Sequence, residues 1–148
     1  MLKIETMRKK GEVFFSDGSR FSGDFFVSPS SAGHAGSELV YDLLNSERSF
    51  IPFELQEGEV VLFQKDSIVK VLLEENELAK DQPYHKENRA RVHLLSGETI
   101  EGKVYLDLPE THFRLSDFLN YSHAFFYLEV NGQDYLINSR FIKLVRNS

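Results

Sequence analysis

The chain has 148 residues, 41% of them hydrophobic with 13 Phe and 6 Tyr, which is ample for a packed core and unlike a disordered segment. It has no Cys and a formal charge of −6, which excludes a disulfide scaffold and any thiolate metal site, and opposes a polyanion at long range unless one face is locally basic. No apolar run approaches the roughly 20 residues of a membrane span, and Met1-Leu2-Lys3-Ile4-Glu5 lacks the apolar core of a signal peptide, so a soluble, cytoplasmic protein without a membrane partner is expected.

In chain order, the basic cluster Arg8-Lys9-Lys10 reads as a solvated lead-in to a strand. Val13 and Phe15 share one parity, Asp17-Gly18 supplies a turn, and Phe21, Gly23, Phe25 and Val27 share one face of a second strand. An Asp-Gly turn between two alternating runs predicts a hairpin. Gly23 offers no side chain to pack, so it predicts a bulge or a sharp bend. Residues 28–37 carry little to bury and predict a mobile surface loop. Asp42-Leu43-Leu44-Asn45 predicts a short helical turn, with Asp42 capping its start and Asn45 ending it in a left-handed conformation. Three further strands follow: Phe50 to Leu55, Val60 to Phe63 and Ile68 to Leu72. Pro52 cannot donate to a ladder, which places it on an edge or at a bulge. The segment Glu74 to Arg89 is almost wholly polar and reads as a linker.

The same signals then return. Val13, Gly18 and Gly23 recur in spacing as Val92, Gly97 and Gly102; Asp42 to Asn45 recurs as Asp117-Phe118-Leu119-Asn120; Ile68 and Val71 recur as Ile142 and Val145. Phe125 to Val130, Asp134 to Ile137 and Ile142 to Arg146 complete five strands in the second copy, with Asn131-Gly132 as a preferred hairpin pair. A repeat of about 60 residues fixes the folding unit, and a unit of that size is marginal alone, so the copies are expected to lean on each other. The organisation is residues 1–73 as a first repeat, 74–89 as linker and 90–148 as a second repeat. Five short aromatic-rich strands per copy predict a mainly β protein of two small barrels related by a pseudo-twofold axis.

The paired glycines between the first two strands, together with the spacing Phe63 to Ile68 and Ile137 to Ile142, resemble the Sm and Sm-like (SH3-like) small barrel over most of each copy. Arg114 to Asn120, RLSDFLN, is similar to the signature of an uncharacterised bacterial family with tandem Sm-like repeats. The resemblance implies a five-stranded, strongly bent sheet per copy. It does not carry over RNA-reading residues. Sm proteins place Asp-x-x-x-Asn just after the second strand and Arg-Gly or Lys-Gly between strands four and five. Here the motif is Asp-x-x-Asn and lies later, and the second position reads Gln64-Lys65 and Asn138-Ser139.

The repeated Asp42, Asn45, Asp117 and Asn120 suit caps and turns for local reasons, and the same side chains could present a carboxylate and an amide to a ligand. Phe14, Phe26 and Tyr105 stand on the polar parity of their strands, implying a second covered surface between the copies or with another chain. His34, His85, His93, His112 and His123 show no metal-ligand spacing, and neither a nucleophile elbow nor a phosphate-binding loop is present, so no catalytic residue, metal or cofactor is expected. The composite expectation is a non-enzymatic protein-interaction or scaffold module whose partner is protein, either itself or another chain. A single-stranded nucleic-acid binder is the alternative, disfavoured by the net negative charge but supported by aromatics that could stack bases. A small-molecule sensor or enzyme would require a pocket between the copies holding perturbed titratable groups.

Overall fold

Short runs of β-branched and aromatic residues, cut by glycine turns, give ten strands and two short helices among the described residues. The computed structural model describes residues 6–31, 36–78, 85–107, 115–121 and 123–147. Its elements are β1 (Met7–Phe15), β2 (Arg20–Val27), α1 (Val40–Leu44), β3 (Phe50–Leu55), β4 (Val60–Gln64), β5 (Ile68–Leu73), β6 (His85–Leu94), β7 (Thr99–Asp107), α2 (Leu115–Tyr121), β8 (Phe125–Val130), β9 (Gln133–Asn138) and β10 (Ile142–Asn147). Single 3-10 turns, Lys65–Ser67 and Ser139–Phe141, lead into β5 and β10. Tight turns close the hairpins; in the β8–β9 turn Asn131 (φ 53°) and Gly132 (φ 81°) both take the positive φ that such a connection needs.

All pairings are antiparallel, and the strands form one open sheet in the order β10-β6-β7-β8-β9-β5-β1-β2-β3-β4. Each half thus orders its strands fifth, first, second, third, fourth. The expected pseudo-twofold relation is corrected by the joint between the halves: β5 pairs with β9, the fifth strand of one half with the fourth of the other. A twofold axis would require the reciprocal pairing of β10 with β4 as well, and those strands lie at opposite ends of the sheet. The halves follow one another head to tail, so that among the described residues a fourth strand, β4, and a fifth strand, β10, each have a strand partner on one side only.

Two apolar cores sit on this sheet. The first gathers Val13, Phe25, Phe53, Leu43, Leu44 and Val71 from the first half, and takes in Phe125 and Leu136 from the second. The second gathers Val92, Val104, Leu106, Phe126, Leu128 and Ile137, and takes in Val69 from β5. The halves therefore share their cores, as two marginal units must.

Gly23 and Gly102 mark close approach, not the expected bulge. The β1–β2 register runs unbroken through Gly23 and the β6–β7 register through Gly102, while the irregularities fall at Phe14/Phe15 and Ile142/Leu144. A β-carbon at Gly102 would lie 2.5 Å from the Glu129 carbonyl oxygen, and one at Gly23 would press still harder on that of Glu54. The expected linker is also corrected. Residues 85–89 already belong to β6, and Asn76, Glu77 and Leu78 are bonded to the turn and start of β9. The centre of the expected 28–37 loop lies outside the described residues; its ends are joined by the Glu38 N–H donating to the Ser28 carbonyl at 2.9 Å.

Candidate interaction surfaces

The joint between the halves is built from a short ladder and the side chains that lock it. Lys70 lies opposite Ile137, Val71 opposite Leu136 and Leu72 opposite Tyr135. The buried Asn138 amide donates to the Ile68 carbonyl at 2.8 Å, closing one end. Lys70, also buried, donates to both oxygens of Glu98 at 3.0 and 2.8 Å and lies 4.7 Å from the centre of the Phe14 ring. Such a charge leaves water only when paired and hydrogen-bonded, and here it is both.

A second lock comes from the segment read as linker. Glu77, whose side chain is 4% exposed, accepts from the backbone N–H groups of Val40 (2.7 Å) and Tyr41 (3.2 Å), from the Tyr127 hydroxyl (2.8 Å) and from Lys9 Nζ (3.3 Å). One carboxylate from between the halves thus satisfies the first turn of α1 and a tyrosine of β8 together. Its own N–H and that of Leu78 donate to Asp134. Burial, then the Glu77 charge, pushes the Tyr127 hydroxyl far above the ordinary tyrosine range. Burial, then Asp42, raises Tyr41, which stacks on Tyr127 with ring centres 4.9 Å apart. Tyr135 is raised by burial, then by Glu12 and Glu98. A cleft of about 310 Å³ opens beside this cluster, lined by Lys9, Lys10, Val40 and Glu74. Of its bordering groups, Lys9 and Glu77 are paired with each other.

The repeated Asp-x-x-Asn residues part company. Asp42 accepts from the Leu39 N–H at 2.9 Å, at the start of α1. Asn45 has φ −101° and ψ 8°, so it does not end the helix in the expected left-handed conformation. Its amide instead donates to the carbonyls of Tyr41 and Phe125, both at 3.0 Å, and its oxygen accepts from the Phe125 N–H at 2.9 Å. The side chain behaves as a strand partner and clasps the start of β8. Asn120 lies within α2, which continues to Tyr121, and its side chain is exposed; Asp117 stands in the first turn of the same helix.

Phe14, Phe26 and Tyr105 are half-buried and separately covered: Lys70 lies over Phe14, Arg8 lies 5.3 Å from the Phe26 ring centre, and the Tyr105 hydroxyl donates to Glu129 at 3.2 Å. Arg8 and Lys9 pair with Glu54 and Glu77. His123 stacks edge-on against Tyr41, and His93 lies 3.2 Å from Thr99; His34, His112 and the His85 side chain lie outside what is described. Among the described residues no group of His, Asp or Glu is placed to hold a metal ion, and no helix is long and apolar enough to cross a membrane.

Of the exposed large apolar side chains, Met7, Phe21 and Leu95 are scattered, whereas four stand at the ends of the sheet. Phe50, Val60 and Leu62 stand on the β3–β4 edge and Leu144 on β10. Period-two patterning did not reveal them, because an edge strand of a sheet and an inner one carry the same alternation. Their signal was the repeat: each is the counterpart of a residue in the other half. Compared with known proteins, the chain matches no family model, no curated protein and no solved structure.

Proposed function

We propose that the chain is a non-enzymatic protein-binding module of the cytoplasm, a scaffold of two Sm-like (SH3-like) five-stranded units that acts through its unpaired strand edges. The observation that carries this reading is the state of β4: Val60–Gln64 contains no charged residue, ends the sheet, and bears exposed Val60 and Leu62 beside exposed Phe50. Edge strands are normally blunted by charge, proline or cover, since a row of free backbone groups templates another strand. Extended polypeptide adding to such an edge gains ladder hydrogen bonds, with alternate side chains supplying specificity. The polar groups at the joint favour the same reading, because they hold the halves together and are engaged with one another. Arg8 and Lys9 of the basic cluster and the Phe14 and Phe26 rings, which a single-stranded nucleic-acid reader would use, are engaged by Glu54, Glu77, Lys70 and Arg8.

The test is selection of short random peptides on the immobilised full chain, beside titration with single-stranded oligonucleotides across salt. Peptide binders lost in Leu62→Asp and retained in Phe26→Ala are expected. Oligonucleotide binding with a steep salt slope, without peptide capture, overturns the reading.

A further inference from the structure

The geometry points to a second copy of this chain as the occupant of both edges: β4 of one copy pairs antiparallel with β10 of the next, repeating between chains the β5–β9 joint that holds the two halves together. This rests on the protein-binding reading above and names its partner.

Equivalent positions of the two halves differ in exposure. By the spacing of the repeat, Phe50 corresponds to Phe125, Leu62 to Leu136, Gln64 to Asn138 and Lys70 to Leu144. Phe125 and Leu136 are 1% and 0% exposed, because the first half packs on them and counts them in its core. Phe50 and Leu62 are 55% and 65% exposed. The same surface is thus core on one half and bare on the other, and what covers it on the one is the half that precedes it in the sheet. The second half, in turn, lacks what the first receives: nothing among the described residues packs on β10 from outside, and Leu144 is exposed.

Two of the locks of the internal joint, those of Asn45 and Asn138, have counterparts as well. Asn45 clasps the Phe125 backbone; Asn120, its counterpart on α2, is exposed, and in the assembly it faces the backbone of Phe50 in the next copy. Asn138 donates to the Ile68 carbonyl; Gln64 holds the matching place on β4 and the Ile142 carbonyl the matching place at the start of β10. The internal register, carried across by the repeat, sets Leu144 opposite Phe63, Val145 opposite Leu62 and Arg146 opposite Val61. Charge agrees with this pairing. Arg146 of β10 falls opposite Val61, beside the β3–β4 turn that carries Glu57 and Glu59.

Because β4 meets β10 and not another β4, the contact is heterologous. Every added copy brings one used and one free edge, so assembly proceeds past a dimer to a ring or filament of three or more copies.

The experiment is native mass spectrometry and sedimentation of the full chain from micromolar to millimolar concentration, with two variants of exposed edge residues, Leu62→Asp on β4 and Leu144→Asp on β10. Wild type is expected to populate species of three or more 17.1 kDa chains. Each variant alone is expected to remain a folded monomer, with unchanged circular dichroism. Mixed, the two variants form a one-to-one dimer, since each retains the edge the other has lost. Asn120→Ala is expected to weaken assembly at least tenfold and leave monomer melting unchanged. A wild type that stays monomeric overturns the inference, and so does continued self-association of either single variant, which would mean like edges pair. A monomeric wild type that still captures peptides through β4 overturns self-assembly alone and leaves the protein-binding reading standing; one that captures none overturns both.

Discussion

Replacing Asn45 by alanine removes the clasp between α1 and β8 without touching the apolar core. The variant strands the N–H and the carbonyl of Phe125, each of which has Asn45 as its side-chain partner at 2.9 and 3.0 Å. The Tyr41 carbonyl keeps its bond from the Asn45 backbone N–H and loses less. A buried group left without a partner costs about 1–3 kcal/mol. Two such groups at a half-buried site, where water recovers part of the loss, come to about 2–4 kcal/mol. For a chain of this size each kcal/mol lowers Tm by about 2–4 °C, so the variant should melt about 5–15 °C earlier. Asn120→Ala removes the same residue from the same repeated motif but from an exposed site, and should stay within about 0.5 kcal/mol. Urea unfolding followed by circular dichroism, at concentrations low enough to keep the chain monomeric, measures both. Equal effects of the two substitutions, whether both large or both negligible, would refute the assignment of Asn45 to the joint.

Glu77→Leu should cost about 3–5 kcal/mol, since it leaves two α1 N–H groups and the Tyr127 hydroxyl unpartnered at about 1–3 kcal/mol each; a melting temperature within a degree or two of wild type would contradict the lock. Gly102→Ala drives a β-carbon into the Glu129 carbonyl and the Leu128 side chain, and overpacking of this kind costs about 1–3 kcal/mol, read from the denaturant midpoint at unchanged slope. Ultraviolet titration should show Tyr41, Tyr127 and Tyr135 ionising above the ordinary tyrosine range. Their folded-state affinity for the proton exceeds the unfolded one, so their contribution is full below about pH 10 and is lost as pH rises beyond it. Alkaline unfolding concurrent with the rise in tyrosinate absorbance is the expected result, and a single titration near pH 10 with the fold intact would oppose it.

The strands were legible because the alternation of residues such as Ile100, Val104 and Leu106 with Glu101, Lys103 and Tyr105, punctuated by Gly18, Gly58, Gly97 and Gly132, is a local property. The head-to-tail relation of the halves was not legible. Two similar sequences imply two similar units, but which strand of one meets which strand of the other depends on how whole surfaces fit. Glu77 was invisible for a related reason: in a run of polar residues, nothing local separates a solvated carboxylate from one that caps a distant helix. Asn45 was noticed as part of a motif and given a local job, whereas its partners lie in β8, far along the chain. Phe50 and Leu62 read as ordinary strand apolars, and only their place at an open edge makes them a candidate surface.

The central claim is that β4 and β10 are binding edges that copies of the chain fill for one another. Amide hydrogen exchange, read residue by residue across a dilution series of the full chain, tests it most directly. The account predicts that the outward N–H groups of Val60–Gln64 and Ile142–Asn147 are protected at high concentration and lose that protection together on dilution, while β5 and β9 stay protected throughout. Edges that exchange equally fast at every concentration would contradict it.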